Sequence, residues 1–458
     1  MLKDWQFNPD TLSRLTKMAL PMVISQGAFA IMIFTDRWFL AQLSPTHMAA
    51  ALGGGVAWYF TISLFIGILA YATALVAQYL GAEEFGKCSR VVTQGVIMSI
   101  ACMPLFLVFA IFGRGMFTAM GHDPAQVVEE ETYYTIMTLF GSLMLARTCM
   151  SSFFSGIGKT RIVMICDVSG IFFNIPLTWM LVFGKFGLPA MGIAGAAYGS
   201  IASMVFTMGL YLAFYLARQN REKFEIAKSF AFDKGISRRY LRLGFPSGME
   251  MFLNIAAFNL FLLMFQSYGI PEAASATIVF NWDIFSFVPL LGLNIAIMSM
   301  IGRFVGAGDM TKTNEVTSAG YILGIGYSLL LCLLFIVFRN QLVELFIFYE
   351  DQAEEIRSLS RFMMIGLSCY VLCEGILQVA AGVLRGAGDT KWIMYASVSL
   401  HWAMLVSQFF IIKVWNYGPR VSWMAFVLMI FCICSVFLYR LWGNKWRDQD
   451  KLNAVMAE

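Results

Sequence analysis

Charge is scarce in this chain. Of 458 residues, 32 are Lys or Arg and 28 are Asp or Glu, while 59% are hydrophobic, including 42 Phe and 30 Met. A soluble core needs far less apolar material, so this balance excludes an ordinary globular enzyme or binding module and points to a polytopic membrane protein. Histidine is scarcer still: His47, His122 and His401 are the only three, and none stands in a zinc-ligand pattern. No nucleophile elbow is present. Gly158, Lys159 and Thr160 end like a phosphate loop, but the position where that motif needs its first glycine is Phe153. Hydrolase and ATPase chemistry are thus excluded, and any uphill work must draw on an ion gradient. The nine Cys sit mostly within apolar runs and read as small core hydrophobes; Cys369 and Cys373 share a helix face with nothing nearby to complete a metal site. No small-residue cleavage site follows a short apolar core at the N-terminus, so the first span is expected to be retained.

What is abundant is the apolar run. Twelve spans are expected, near 15–43, 49–80, 90–113, 126–156, 161–184 and 192–218, then 238–268, 272–302, 313–338, 353–386, 390–414 and 421–442. The only long polar segment, Arg218 to Arg242, lies between the two sets. The expected fold is an all-α polytopic membrane protein of two six-helix repeats around a central cavity, with an N-lobe over 1–217, a linker over 218–237 and a C-lobe over 238–458. With the N-terminus in the cytoplasm, cytoplasmic connections receive Lys87, Arg90, Lys159, Arg161, the Arg218 to Arg242 cluster, Arg303, Lys312, Arg385, Lys391 and the tail from Arg440 to Lys451. The opposite face keeps little beyond Arg114, Lys185, Arg339, Arg357, Arg361, Lys413 and Arg420. This asymmetry places both termini in the cytoplasm.

The halves repeat one another. A shift of 225 positions carries Ala19-Leu20-Pro21 to Gly244-Phe245-Pro246, and Gly81, Ala82, Lys87, Val91 and Gly95 to Gly306, Ala307, Lys312, Val316 and Gly320. A shift of 230 carries Gly156, Gly158, Thr160 and Met164 to Gly386, Gly388, Thr390 and Met394. Each half has an even number of spans, so the repeats run the same way through the bilayer, a geometry suited to a carrier.

Intramembrane polar residues carry the chemistry. Asp36 lies deep in the first span, where an ionisable side chain costs on the order of 3 kcal/mol and therefore faces a cavity, a partner or an ion path. Arg37 projects from another side of that helix and is expected to snorkel. Gln26, Arg147, Asp167 and Asn174 complete the first half; Glu250, Asn254, Asn259, Asn281, Asp283, Asn294, Tyr370, Glu374 and His401 make up the second. Glu250 and Asn254 lie four apart, as do Tyr370 and Glu374, so each pair can present two oxygens to one ion. Gln26, Asn259 and Asn294 are adequately explained by helix–helix hydrogen bonds. Asp283 is open to both readings, and Asn281 and Trp282 beside it suggest a polar break in the helix. Glycines at 53–55, 192–195 and 244–248 suit close helix packing.

At these residues the chain resembles the multidrug and toxic compound extrusion (MATE) transporters. The resemblance lies in Phe34 to Leu43 around Asp36, in Asn174 to Gly184 with Leu188 to Ala197, and in Val379 to Thr390. It implies an N-lobe cation site on Asp36 and Asn174, with Thr178 where many members have a second acid. It also implies, as in the NorM branch, a C-lobe site on Tyr370 and Glu374; Asn254 occupies that branch's seventh-helix Glu position and Glu250 sits one turn earlier, so a rearranged site with Glu250, Glu374 and Asp283 is expected. The function implied is a secondary antiporter of the inner membrane, monomeric and without cofactor, exporting amphipathic or cationic small molecules against H⁺ or Na⁺, with membrane lipid but no nucleic acid as partner. A flippase for a lipid-linked precursor is the alternative; a cavity rich in Arg and Lys would favour it, and only Arg37 and Arg147 are expected there.

Overall fold

The computed structural model describes residues 6–347, 353–443 and 445–457. Among the described residues the regular structure is helical throughout, without strands. The first half contains α1 (Pro9–Ala41), α2 (Pro45–Ala70), α3 (Ala72–Gly81), α4 (Phe85–Ala101), α5 (Met103–Phe112), α6 (Arg114–Ala119), α7 (Pro124–Leu139), α8 (Gly141–Gly156), α9 (Thr160–Phe183), α10 (Gly192–Leu216) and α11 (Arg218–Lys223). The second half contains α12 (Lys234–Gln266), α13 (Ile270–Gly306), α14 (Met310–Glu344), α15 (Ala353–Gly386), α16 (Thr390–Phe409), α17 (Pro419–Trp442) and α18 (Gln449–Met456). Among the described residues eleven helical segments are long and apolar enough to cross a membrane, and α7 with α8, bent by 50° at their junction, makes a twelfth when the pair is counted as one span. The expected spans thus recur, with the fourth broken at Phe140. The expected break around Asn281 to Asp283 does not occur: α13 is continuous through it, and Asn281 Nδ2 donates within the helix to the Thr277 carbonyl at 2.8 Å.

Helix starts follow from capping chemistry. Asn8 Oδ1 accepts from the Asp10 amide at 2.9 Å, Asp123 Oδ1 from the Ala125 amide at 2.9 Å, and Asp309 Oδ1 from the Lys312 amide at 3.2 Å. The repeat is visible in the turns as well. Gly158 and Gly388, related by the 230-residue shift, have φ of 78° and 87°, a left-handed conformation that glycine adopts without steric cost. At the 225-residue shift, Gly308 (φ 71°) is matched by Glu83 (φ 62°), so one repeat places a side chain in the backbone state where the other uses glycine.

The chain forms two units: Ile24–Gly248 with Ala457, and Met249–Met456 with the residues up to Val23. Both crossings fall inside a helix, after Val23 in α1 and after Gly248 in α12. Each comes two residues after a proline, Pro21 or Pro246, where the i to i−4 hydrogen bond is lost. In the Ile24–Gly248 unit, α2 approaches α12 where Gly67 meets Gly248: a Cβ on Gly67 would lie 2.7 Å from the Gly248 Cα. In the Met249–Met456 unit, α13, α14 and α15 enclose a core that includes Leu293, Ile297, Val379 and Leu384. A second core is aromatic, with Phe261 and Phe426 stacked at 4.8 Å and Tyr370 edge-on to Phe426 at 5.9 Å.

Candidate functional site: intramembrane carboxylates of the two units

In the Ile24–Gly248 unit, Asp36 on α1 is buried, 6% exposed. Ser200 Oγ on α10 donates to its Oδ2 at 2.8 Å, while Oδ1 meets no donor among the described residues. Thr178 on α9 stands beside it, buried, its hydroxyl facing the carboxylate, and among the described residues Oγ1 makes no hydrogen bond of ordinary geometry. A Cβ at position 199 would collide with that hydroxyl, so Gly199 on α10 makes the room for it. One turn before Thr178, Asn174 is fully buried, and among the described residues neither amide atom is hydrogen-bonded. Leaving such groups desolvated costs about 1–3 kcal/mol each. Three of these atoms are oxygens, Asp36 Oδ1, Asn174 Oδ1 and Thr178 Oγ1, a ligand set of the kind a small hard cation takes.

A second carboxylate of this unit is saturated. Asp167 Oδ1 accepts from Arg147 Nη2 at 2.6 Å and from the Tyr211 hydroxyl at 3.0 Å, and Oδ2 accepts from Ser25 Oγ. Four helices, α1, α8, α9 and α10, therefore meet on one side chain. A cavity of about 20 Å³, room for about one water molecule, lies beside it between Arg147, Asp167, Ser203 and Thr207.

In the Met249–Met456 unit, the Tyr370 hydroxyl on α15 donates to Asp283 Oδ1 on α13 at 3.0 Å. Glu374, one turn along α15, lies within electrostatic reach of Asp283, and its buried Oε2 has no donor among the described residues. Two acids and a tyrosine thus converge. Phe426 and Trp423, 5.9 and 6.2 Å from the Tyr370 ring, hold it in place.

A family model described as MatE matches residues 21–180 and 246–407, one segment in each repeat. This chain belongs to the MatE family. It is therefore a membrane transporter of the MATE type and not an enzyme. Among similar proteins, the multidrug resistance protein MdtK of Yersinia pseudotuberculosis serotype O:1b (strain IP 31758) is 23% identical over 445 residues, 94% of this chain and 95% of that protein. The probable multidrug resistance protein NorM of Pasteurella multocida (strain Pm70) is 23% identical over 444 residues, 93% of each chain. Similar solved structures include a MOP superfamily transporter from Pyrococcus furiosus, described as having a binding pocket of reverse polarity, with TM-score 0.86, 19% identity and coverage of 98% of this chain and 97% of that one. The eukaryotic MATE transporter AtDTX14 gives TM-score 0.84 at 18% identity, over 98% and 99% of the two chains.

Within this MATE fold the expected site residues separate. Asp36, Asn174 and Thr178 share one region, as do Asp283, Tyr370 and Glu374. Glu250 was expected to share an ion with Asn254 or Glu374 and instead engages a guanidinium: Arg385 Nη2 donates to both of its carboxylate oxygens, at 3.0 and 2.9 Å. The physical reason lies in α15, whose last turn carries Arg385 back over α12, where the sequence suggested a loop cation. Asn254 Nδ2 donates to Ser397 Oγ at 2.8 Å, leaving its Oδ1 unpartnered. Arg147, expected in a central cavity, is committed to Asp167. Sequence reasoning missed Ser200 and Tyr211 on α10. Their signal was the spacing Ser200, Ser203, Thr207, Tyr211, a polar stripe at helical period within an otherwise apolar helix.

Proposed function

We propose that this MATE transporter is a secondary antiporter of the inner membrane that exports amphipathic, often cationic, small molecules in exchange for H⁺ or Na⁺ by alternating access. The observation that carries the reading is the set of oxygens around Asp36: a transporter that buries a carboxylate oxygen, an amide and a hydroxyl without ordinary hydrogen bonds among the described residues has a place for a coupling ion. Asp283, Tyr370 and Glu374 form a second candidate station. Movement of one elementary charge through 100 mV provides about 2.3 kcal/mol, enough for an approximately 40-fold gradient of neutral substrate per ion. The multidrug resistance names of MdtK and NorM support the substrate class.

The deciding experiment is reconstitution in liposomes with imposed pH or Na⁺ gradients. Substrate should accumulate against its gradient when the gradient of the coupling ion, H⁺ or Na⁺, is imposed and stop when it is collapsed; uptake indifferent to both gradients would sink the antiport reading. In the same proposal the lobes span 1–217 and 238–458, with linker 218–237 and both termini in the cytoplasm, as the Lys and Arg asymmetry supports. Phe230 is 69% exposed, so in a protein stripped of its native Cys, Phe230→Cys should react with an impermeant reagent only from the cytoplasmic side. Labelling from outside intact cells would invert the topology.

A further inference from the structure

The Met249–Met456 unit carries a trough that the ion sites do not use. It has a volume of about 490 Å³, within the range of ligand pockets, and lies between the C-terminal halves of α12 and α16. Leu260 and Leu263 form one wall, with Trp402, Val406 and Phe409 opposite. These side chains remain open on one side: Leu263 is 63%, Val406 54% and Phe409 49% exposed. A pocket for a transported solute buries most of its ligand, whereas a groove open along its length on a spanning helix pair is wetted by hydrocarbon.

One end of the trough is polar. Lys413 Nζ donates to Ser267 Oγ at 2.8 Å, and among the described residues no carboxylate lies within salt-bridge reach of it. The backbone is shaped to put it there. Phe410–Val414 forms a π-helical turn, a feature frequent at functional sites, and Asn416 just beyond has φ of 52°. The Tyr268 hydroxyl fastens this turn to α12 by donating to the Tyr417 carbonyl at 2.6 Å. Trp415 and Tyr417, 59% and 52% exposed, mark the level of a membrane–water interface, where aromatic side chains concentrate. From Lys413 back to Trp402 the helix rises about 16 Å, about half of a roughly 30 Å hydrocarbon core. The trough is therefore one leaflet deep, with its cation at headgroup level and its far wall at the bilayer midplane.

We propose that this trough is a lipid site, holding an acyl chain of an anionic phospholipid of the adjoining leaflet, with the headgroup phosphate on Lys413 and Ser267. A zwitterionic lipid presents its own ammonium to Lys413 and gains less. The proposal rests on the span geometry and is independent of which ion drives transport. The test is quenching of Trp402 in the full-length protein in nanodiscs, taken as the difference between the wild type and Trp402→Phe. Nanodiscs of phosphatidylcholine receive a minor fraction of acyl-brominated phosphatidylglycerol or, in the second arm, the same fraction of acyl-brominated phosphatidylcholine. Phosphatidylglycerol should occupy the trough about fivefold more strongly, the equivalent of about 1 kcal/mol for one lysine at a membrane surface, and Lys413→Gln should abolish the preference. Equal quenching by the two lipids in the wild type would mean annular contact only. A preference that survives Lys413→Gln would remove the headgroup assignment, and absence of quenching by either lipid would show that the trough does not face the bilayer; each of these outcomes overturns the proposal.

Discussion

The two units hold their buried acids in the same two ways and differ in what stands beside the open one. The Ile24–Gly248 unit buries two closed carboxylates, Asp167 on Arg147 and Glu130 between His122 and Gln126, and one with an oxygen left open, Asp36. The Met249–Met456 unit has the same two kinds, Glu250 closed by Arg385 and Glu374 open, and adds Asp283 within reach of Glu374. Removing one partner of a closed pair leaves an uncompensated buried charge, so closed acids belong to the fold. Open acids gain nothing for the fold from ionisation until a cation arrives. The difference between the units is that the open acid of the second has a neighbour of like charge, so a cation bound there would relieve repulsion as well as desolvation, whereas one at Asp36 would meet neutral groups around a single carboxylate.

The largest expected effect tests the closed class. Glu250→Gln deprives Arg385 of both carboxylate contacts, and because the Glu250 side chain is only 7% exposed the loss should reach about 3 kcal/mol, read as a lower melting temperature in detergent. Protein that remains folded should keep its ion-dependent exchange. Unchanged melting together with collapsed exchange would move Glu250 into the open class and break the comparison. Next comes the open acid of the first unit. Asp36→Asn keeps the volume and removes the charge, so the protein should accumulate normally while exchange falls on the order of a hundredfold, equivalent to about 2.7 kcal/mol on the transport barrier. Normal export would remove Asp36 from the cycle. Glu374→Gln should lower exchange less, about tenfold, because Asp283 still offers a carboxylate beside it. A detergent titration should then show substrate binding less sensitive to pH or Na⁺ than in the wild type; wild-type sensitivity would leave Asp36 as the single coupling site.

Much of this comparison was legible in the sequence, for physical reasons that also explain where reading stopped. The spans were legible because a bilayer imposes length and apolarity on every crossing, and the repeat because turn glycines such as Gly158 and Gly388 recur with their backbone geometry. Asp36 and Asn174 were legible as polar interruptions of apolar helices, whereas Thr178 entered only through the family resemblance. The closed pairs were not, since Glu250 and Arg385 stand 135 positions apart and a helix-end arginine looks the same in sequence whether it turns to water or to a buried acid. Nor was the bend at Phe140, where Gly141 is the sole local signal, or the passage of α1 and α12 between units, which depends on packing beyond Pro21 and Pro246.

The smallest effect sharpens the comparison most, because it separates a ligand from a lining. Thr178 Oγ1 is buried and faces the Asp36 carboxylate without a hydrogen bond of ordinary geometry among the described residues, so Thr178→Val, which keeps the shape, should change stability by less than about 1 kcal/mol. Ser200→Ala differs, because Ser200 donates to Asp36 Oδ2 and supports the charged carboxylate directly. If the hydroxyl of Thr178 completes a cation's coordination beside Asp36, its loss should weaken ion binding by about 0.5–1.5 kcal/mol, roughly two- to tenfold, while leaving substrate binding in the absence of the ion unchanged. The measurement is ion-dependent displacement of substrate by Thr178→Val and Ser200→Ala in detergent, alongside melting temperatures. A Thr178→Val protein with unaltered ion affinity would reduce the first station to Asp36, Asn174 and Ser200, and would mean that the room Gly199 makes for Thr178 serves packing alone.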